Sequence, residues 1–145
     1  MQHEDRLILL VEDTEDDIEL TLLALESGAL AAEVVVARDG VEALTYLFSG
    51  GGDAAAVPPP LPQVVLLDLK LPKISGLEVL ARIRADLRTR RLPVVILTSS
   101  GEEEDLLRGY DLGANSYIRK PVDFAQFTRA VQTMGVYWLV LNKAP

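Results

Sequence analysis

Three acidic residues stand where short apolar runs stop. Leu7-Ile8-Leu9-Leu10-Val11 ends on Glu12-Asp13, and Val64-Val65-Leu66-Leu67 ends on Asp68. An unbroken apolar run of this length does not alternate as a half-wet strand would, so each reads as a strand covered on both faces. Uncompensated charges at the ends of buried strands cost stability. Carboxylates that converge there repel one another, and the usual remedies are protonation or a hard divalent cation with oxygen ligands. Mg²⁺ fits such a set. It also prepares the site for a phosphoryl group, because a metal and a nearby lysine neutralise charge on a transferring phosphate. Two further residues complete the set: Thr98 closes the run Leu92-Pro93-Val94-Val95-Ile96-Leu97 with a hydroxyl, and Lys120 follows Asn115-Ser116-Tyr117-Ile118-Arg119 just before Pro121. One carboxylate nucleophile, two metal-binding acids, a hydroxyl donor and an ammonium group amount to a phosphoaspartate site.

For these side chains to meet, the strands that carry them must be neighbours. The chain supplies the order. After the first strand, Thr14-Glu15-Asp16-Asp17 opens a helix with acids in its first turn, Ile18, Leu22 and Leu25 form its inward stripe, and Gly28 ends it. A second strand spans 33–37, Asp39-Gly40 is a turn, and a helix runs from Val41 to about Phe48 with Val41, Leu44 and Leu47 or Phe48 facing in. The glycine- and proline-rich stretch from Ser49 to Pro62 is a surface connection, too short to separate domains. Beyond Asp68, a third helix is expected from Gly76 to Arg88 with Leu80, Ile83 and Leu87 on one face. A fourth helix has the acidic first turn Glu102-Glu103-Glu104-Asp105 and runs to Gly113-Ala114. The last helix starts near Asp123 and carries Phe124, Phe127, Val131, Met134, Trp138 and Leu141 at steps of three and four. Five βα units in strict alternation predict an α/β fold with a doubly wound five-stranded parallel sheet, flavodoxin-like order 2-1-3-4-5, and helices on both faces. In that order strands one and three are adjacent, which brings Glu12, Asp13 and Asp68 together.

Val11-Glu12-Asp13, Leu67-Asp68-Leu69-Lys70-Leu71-Pro72 with Ser75-Gly76, Leu97-Thr98-Ser99 and Tyr117-Ile118-Arg119-Lys120-Pro121 resemble the receiver domains of two-component response regulators. The resemblance covers essentially the whole chain, with every landmark in order. It implies that Asp68 accepts a phosphoryl group from a phosphohistidine on a sensor histidine kinase. Asp13, Asp68 and the backbone carbonyl of Lys70 would hold Mg²⁺, with Glu12 acting through water. Thr98 and Lys120 would bind the phosphoryl oxygens, the Lys120–Pro121 bond would be cis, and Tyr117 would occupy the aromatic switch position. The domain would catalyse its own phosphorylation and slowly lose the phosphate to water, without being an enzyme in the usual sense. Lys70 departs from the pattern, since it sets a basic side chain beside the metal. Asp17, one helical turn after Asp13, could reach the same rim, although helix-dipole stabilisation explains it equally well. His3, the only histidine, lies in a tail and is given no role.

Composition narrows the alternatives. The chain has 145 residues, no cysteine and a formal charge of −8. Thiol chemistry is excluded, and a nucleic-acid surface would need a local basic patch working against the overall field. The densest basic run, Arg82 to Arg91, lies at a predicted helix end, where cations suit the dipole. No signal peptide or bilayer-spanning run is present, so a cytoplasmic address is expected. Residues 1–145 are expected to form a single receiver domain without an effector domain. The output is then protein contact. Val136, Tyr137 and Val140 lie beside the core stripe of the last helix and, with Trp138, form a candidate interface. The Tyr137-Trp138-Leu139 ending resembles the stand-alone regulators paired with bacterial phytochrome kinases, which implies a bacteriophytochrome partner and a homodimer through helix four, strand five and helix five. Two competitors fare worse. An aspartyl phosphohydrolase of the haloacid dehalogenase type would want an acid two residues after the nucleophile, where Lys70 stands. A flavin site would want glycine and hydroxyls after strand one, where this chain has acids.

Overall fold

The computed structural model describes residues 6–27, 32–48, 60–98, 103–119 and 124–141. Strands β1 (Leu7–Val11), β2 (Glu33–Ala37), β3 (Val64–Leu67), β4 (Val94–Thr98) and β5 (Ser116–Arg119) form one sheet in the order β2-β1-β3-β4-β5. Every pairing is parallel. Between the strands run α1 (Glu15–Ser27), α2 (Gly40–Phe48), α3 (Gly76–Ala85) and α4 (Glu103–Asp111), and α5 (Phe124–Val136) continues into a π-helical turn over Tyr137–Leu141.

The apolar runs do not alternate because both sheet faces are covered, and side-chain parity divides them between two core layers. Leu9, Val11, Val65, Leu67, Val94 and Ile96 pack with Leu44 and Leu47 of α2 and with Val79, Leu80 and Ile83 of α3. Their neighbours Ile8, Leu10, Val64, Leu66, Val95 and Leu97 pack with Ile18 of α1 and with Phe127, Val131 and Met134 of α5. β1 and β3 are buried along their whole length. Such strands can terminate on a polar group only at the ends of the sheet, which is where Glu12 and Asp68 stand.

Three expectations are corrected. The third helix stops at Ala85, not Arg88, and Leu87 is 82% exposed instead of facing in. Asp86 is the reason. It takes an extended conformation (φ −100°, ψ 134°), its Oδ1 accepts the amide of Arg88 at 2.8 Å, and its carbonyl accepts the amides of Thr89 and Arg90. An aspartate that bonds the backbone two residues on offers the chain a turn in place of another helical turn. Thr89 then closes the helix end, its hydroxyl donating to the carbonyl of Ile83 at 2.6 Å. Val41, expected inside, is exposed: the inward face of α2 is made by Gly40, Ala43, Leu44 and Leu47, and Val41 falls outside it.

The third correction lies in the last helix. Phe127, Val131 and Met134 are buried as the stripe predicts, but the next large apolar side chain to be buried is Leu139, five positions after Met134. The i→i+5 geometry of a π-turn accounts for that step. Trp138 is left half-buried against the core, and the side chains of Phe124 and Leu141 lie outside the described residues.

Candidate metal centre

The parallel ladder continues one residue past the ends of β1 and β3. The amide of Asp68 donates to the carbonyl of Val11 at 3.0 Å, and the amide of Glu12 donates to the carbonyl of Ala37 at 3.0 Å. The backbone thus fixes Glu12 and Asp68 side by side at the sheet's carboxyl-terminal edge, the location where open α/β sheets bind ligands. One carboxylate oxygen from each of Glu12, Asp13 and Asp68 lies within 4.8 Å of the other two. Glu12 and Asp68 are buried, at 0% and 6% exposure, while Asp13 opens to solvent. Glu12 Oε1 accepts the amide of Thr14 at 3.4 Å, and Asp68 Oδ1 accepts the amide of Lys70 at 3.3 Å.

Two ionised carboxylates at such a separation repel by on the order of 3 kcal/mol at a protein-like dielectric. A set made only of carboxylate oxygens suits a hard, oxygen-seeking divalent cation, so the residues present fit a metal of the Mg²⁺, Mn²⁺ or Ca²⁺ type. One open carboxylate and two enclosed ones leave an approach from solvent. The start of α3 lies against the backbone that follows β3. Gly76 donates its amide to the carbonyl of Leu69 at 2.9 Å, and a Cβ at Gly76 would come within 2.1 Å of the carbonyl oxygen of Asp68. Only glycine lets the helix start this close to the strand it follows. Ser75 caps it, its Oγ accepting the amide of Glu78 at 3.3 Å.

Of the residues singled out in the sequence, Glu12, Asp13 and Asp68 come together. Lys70 joins them through its backbone amide, with its side chain exposed. Thr98 ends β4 in register with Arg119 of β5; its side chain, Lys120 and the Lys120–Pro121 bond lie outside the described residues, as does His3. Tyr117 pairs in register with Ile96 and is half-buried against the layer under α2 and α3. Tyr137 and Trp138 sit far along the chain at the end of α5, ring edge to ring face with centroids 4.9 Å apart, and the side chain of Val140 is outside the described residues. Sequence reasoning missed Asp39 and Lys73, which form an ion pair beside the loop after Asp68. The Asp39-Gly40 turn was the only signal for either.

Two arginines of the basic run at the end of α3 are taken up by structure. Arg84 and Arg88 donate to backbone carbonyls, Arg88 reaching that of Leu47. No helix among the described residues is long and apolar enough to cross a membrane.

Comparison with known proteins gives a consistent picture. The model of the response regulator receiver domain matches residues 8–132. The chain is 42% identical over 141 residues to the probable methanogenesis regulatory protein FilR2 of Methanothrix harundinacea, covering 96% of this chain and 87% of that protein. Among solved structures, the phosphorylated cyanobacterial phytochrome response regulator RcpA superposes with a TM-score of 0.87 at 39% identity, covering 97% of this chain and 98% of that one. The Mn²⁺-bound form of response regulator Rcp1 gives 0.85 at 36% identity, with 97% and 99% covered. The bacteriophytochrome response regulator AtBRR gives 0.74 at 56% identity, with 95% and 98% covered.

Proposed function

The chain belongs to the response regulator receiver domain family, and on that premise we propose that Asp68 is its phosphoacceptor, charged by a sensor histidine kinase of the bacteriophytochrome type. The observation that carries the reading is the meeting of Glu12, Asp13 and Asp68 within 4.8 Å at the ends of adjacent strands. In the reaction an Asp68 carboxylate oxygen attacks phosphorus, the bond from phosphorus to the kinase imidazole nitrogen breaks, and the imidazole leaves with the electron pair. Water later attacks the acyl phosphate and restores the carboxylate. Asp13, Asp68 and the carbonyl of Lys70 would hold Mg²⁺, with Glu12 behind them. That ion supplies positive charge against the transferring phosphoryl oxygens. Thr98 and Lys120 are assigned the phosphoryl oxygens, Thr98 by its place at the end of β4 beside β3.

The burial of Asp68 contributes in its own right. Its carboxylate accepts the Lys70 amide while its own backbone amide is fixed by the ladder bond to Val11, so the attacking oxygen is oriented before the donor arrives. Tyr117, half-buried two residue pairs behind Thr98, would turn when Thr98 moves.

Output through protein contact at a cytoplasmic location follows from the same reading. RcpA and AtBRR are described as phytochrome response regulators, which supports a kinase of that class as the donor. A homodimer through α4, β5 and α5 is supported by Leu107, Tyr110, Val136 and Tyr137, all large and exposed on α4 and the end of α5.

The deciding experiment is intact mass after incubation with acetyl phosphate and Mg²⁺, for wild type, Asp68→Ala and a chelator control. A single phosphoryl adduct that needs both Asp68 and the metal is the expected result. An adduct that survives Asp68→Ala, or none in wild-type protein with bound Mg²⁺, overturns the assignment.

A further inference from the structure

The loop between β3 and α3 begins at Asp68 and includes Lys70, so a site built on those residues is only as well placed as the loop. Two close backbone approaches pin it. A Cβ on Gly76 would meet the Asp68 carbonyl oxygen at 2.1 Å, and a Cβ on Gly40 would meet the Ile74 carbonyl oxygen at 2.4 Å. The loop is therefore wedged between its own strand and the first residue of α2.

Between these points the chain does something costly. Lys73 has φ 67°, a left-handed conformation that a residue with a side chain rarely adopts. Such a conformation persists where the surroundings impose it. Here Lys73 Nζ lies 3.2 Å from Asp39 Oδ2. Asp39 is buried, and its other oxygen, Oδ1, accepts the amide of Glu42 at 2.8 Å, capping α2. One carboxylate thus ties the helix with one oxygen and the loop with the other. The turn between is tight, the amide of Ile74 donating to the carbonyl of Pro72 at 2.8 Å.

We propose that Asp39 is a positioning residue for the metal and phosphoryl site: through its ion pair with Lys73 it fixes the loop that follows Asp68. The proposal rests on the reading of Glu12, Asp13 and Asp68 as that site. Asp39 does not touch the reacting atoms; it acts by holding the backbone from which the Lys70 amide reaches Asp68.

Two variants separate this role from simpler ones. Asp39→Asn keeps an Oδ1 acceptor for the helix cap and loses the charge that holds Lys73. Lys73→Met keeps the aliphatic stem and loses the ammonium. Mg²⁺ affinity is measured by calorimetry on unphosphorylated protein, and amide hydrogen exchange across residues 69–75 is measured on metal-free protein. Positioning predicts that each variant weakens Mg²⁺ binding about threefold, the scale of a partly exposed ion pair, and speeds exchange in the loop. The double variant should be no worse than either single one, since both remove the same contact. Long-range charge alone predicts opposite signs, with loss of the lysine tightening the cation and loss of the aspartate weakening it. Tighter binding in Lys73→Met, unchanged binding and exchange in both, or additive losses in the double variant would each overturn the proposal. Wild-type protein that binds no Mg²⁺ overturns the site reading itself, and the metal-free exchange rates then show separately whether the Asp39 clamp exists.

Discussion

The two ends of the sheet solve opposite problems. At the carboxyl-terminal end, three carboxylates are gathered within 4.8 Å of one another. At the amino-terminal end, a single cation is surrounded by acceptors: Arg84 donates to the carbonyls of Gly113, Leu92 and Arg90 and to Asn115 Oδ1. Burial lowers the pKa of the Arg84 guanidinium from its ordinary value, the desolvation that its ring of carbonyls offsets. Asn115 Oδ1 also accepts the amide of Val94, so Arg84 joins the end of α3 to the entrances of β4 and β5. One end concentrates like charge and leaves an opening; the other satisfies a charge and closes the fold.

Substitutions at the two ends should therefore fail in different currencies. Asp68→Asn should abolish the phosphoryl adduct while leaving the fold intact or firmer by about 1 kcal/mol, because one of two neighbouring buried carboxylates is gone. Mass spectrometry and urea denaturation on one sample check both halves. Arg84→Ala should do the reverse. It strands several carbonyls and should cost about 2–4 kcal/mol of stability, with the acetyl phosphate reaction of the folded protein unchanged. Arg84→Lys should not rescue it, since an ammonium cannot reproduce the guanidinium fork.

Smaller effects sharpen the contrast. Mg²⁺ at about ten times its dissociation constant should add about 1.4 kcal/mol of stability. That gain should vanish with a chelator or in Asp13→Asn/Asp68→Asn, and it should survive in Arg84→Lys. Asp39 gives a pH signature. Its carboxyl is held below the usual 3.8, chiefly by the Glu42 amide and further by Lys73. A depressed carboxyl pKa contributes stability that is present above the unfolded value and lost as pH falls through the folded one. Unfolding of wild type and Asp39→Asn should therefore differ at neutral pH and converge below about pH 4.

Most of the site was legible because its residues sit where local patterns change. Glu12, Asp13 and Asp68 interrupt apolar runs, and strand order followed from the alternation of strands and helices. Asp39 and Lys73 were not legible, because their pairing depends on the φ of one residue and on the approach of Ile74 to Gly40, neither of which leaves a pattern in sequence. Arg84 was hidden for a similar reason: a basic run reads as a solvated helix end until carbonyls from two other segments are seen around it. The shift from Trp138 to Leu139 has the same character, since a single π-turn resets the stripe without changing composition.

The smallest predicted effect concerns Leu87, just beyond α3, a helix with residues at both ends of the sheet. Its first residue, Gly76, touches Asp68, and its last turn carries Arg84. A periodic reading extends its apolar face from Leu80 and Ile83 to Leu87, but the face is cut between the last two by Asp86. Ile83 is fully buried and Leu87 stands at the tip of a turn. Ile83→Ala should then cost about 2–5 kcal/mol, whereas Leu87→Ala should stay within about 0.5 kcal/mol. Replacing Asp86 by alanine removes the acceptor for the Arg88 amide and the turn's advantage over helix. If the helix then lengthens, Leu87 gains a place on its inward face, and Leu87→Ala should become measurably destabilising in that background. An unchanged, near-zero effect would mean that Thr89, through its bond to Ile83, ends the helix without help from Asp86.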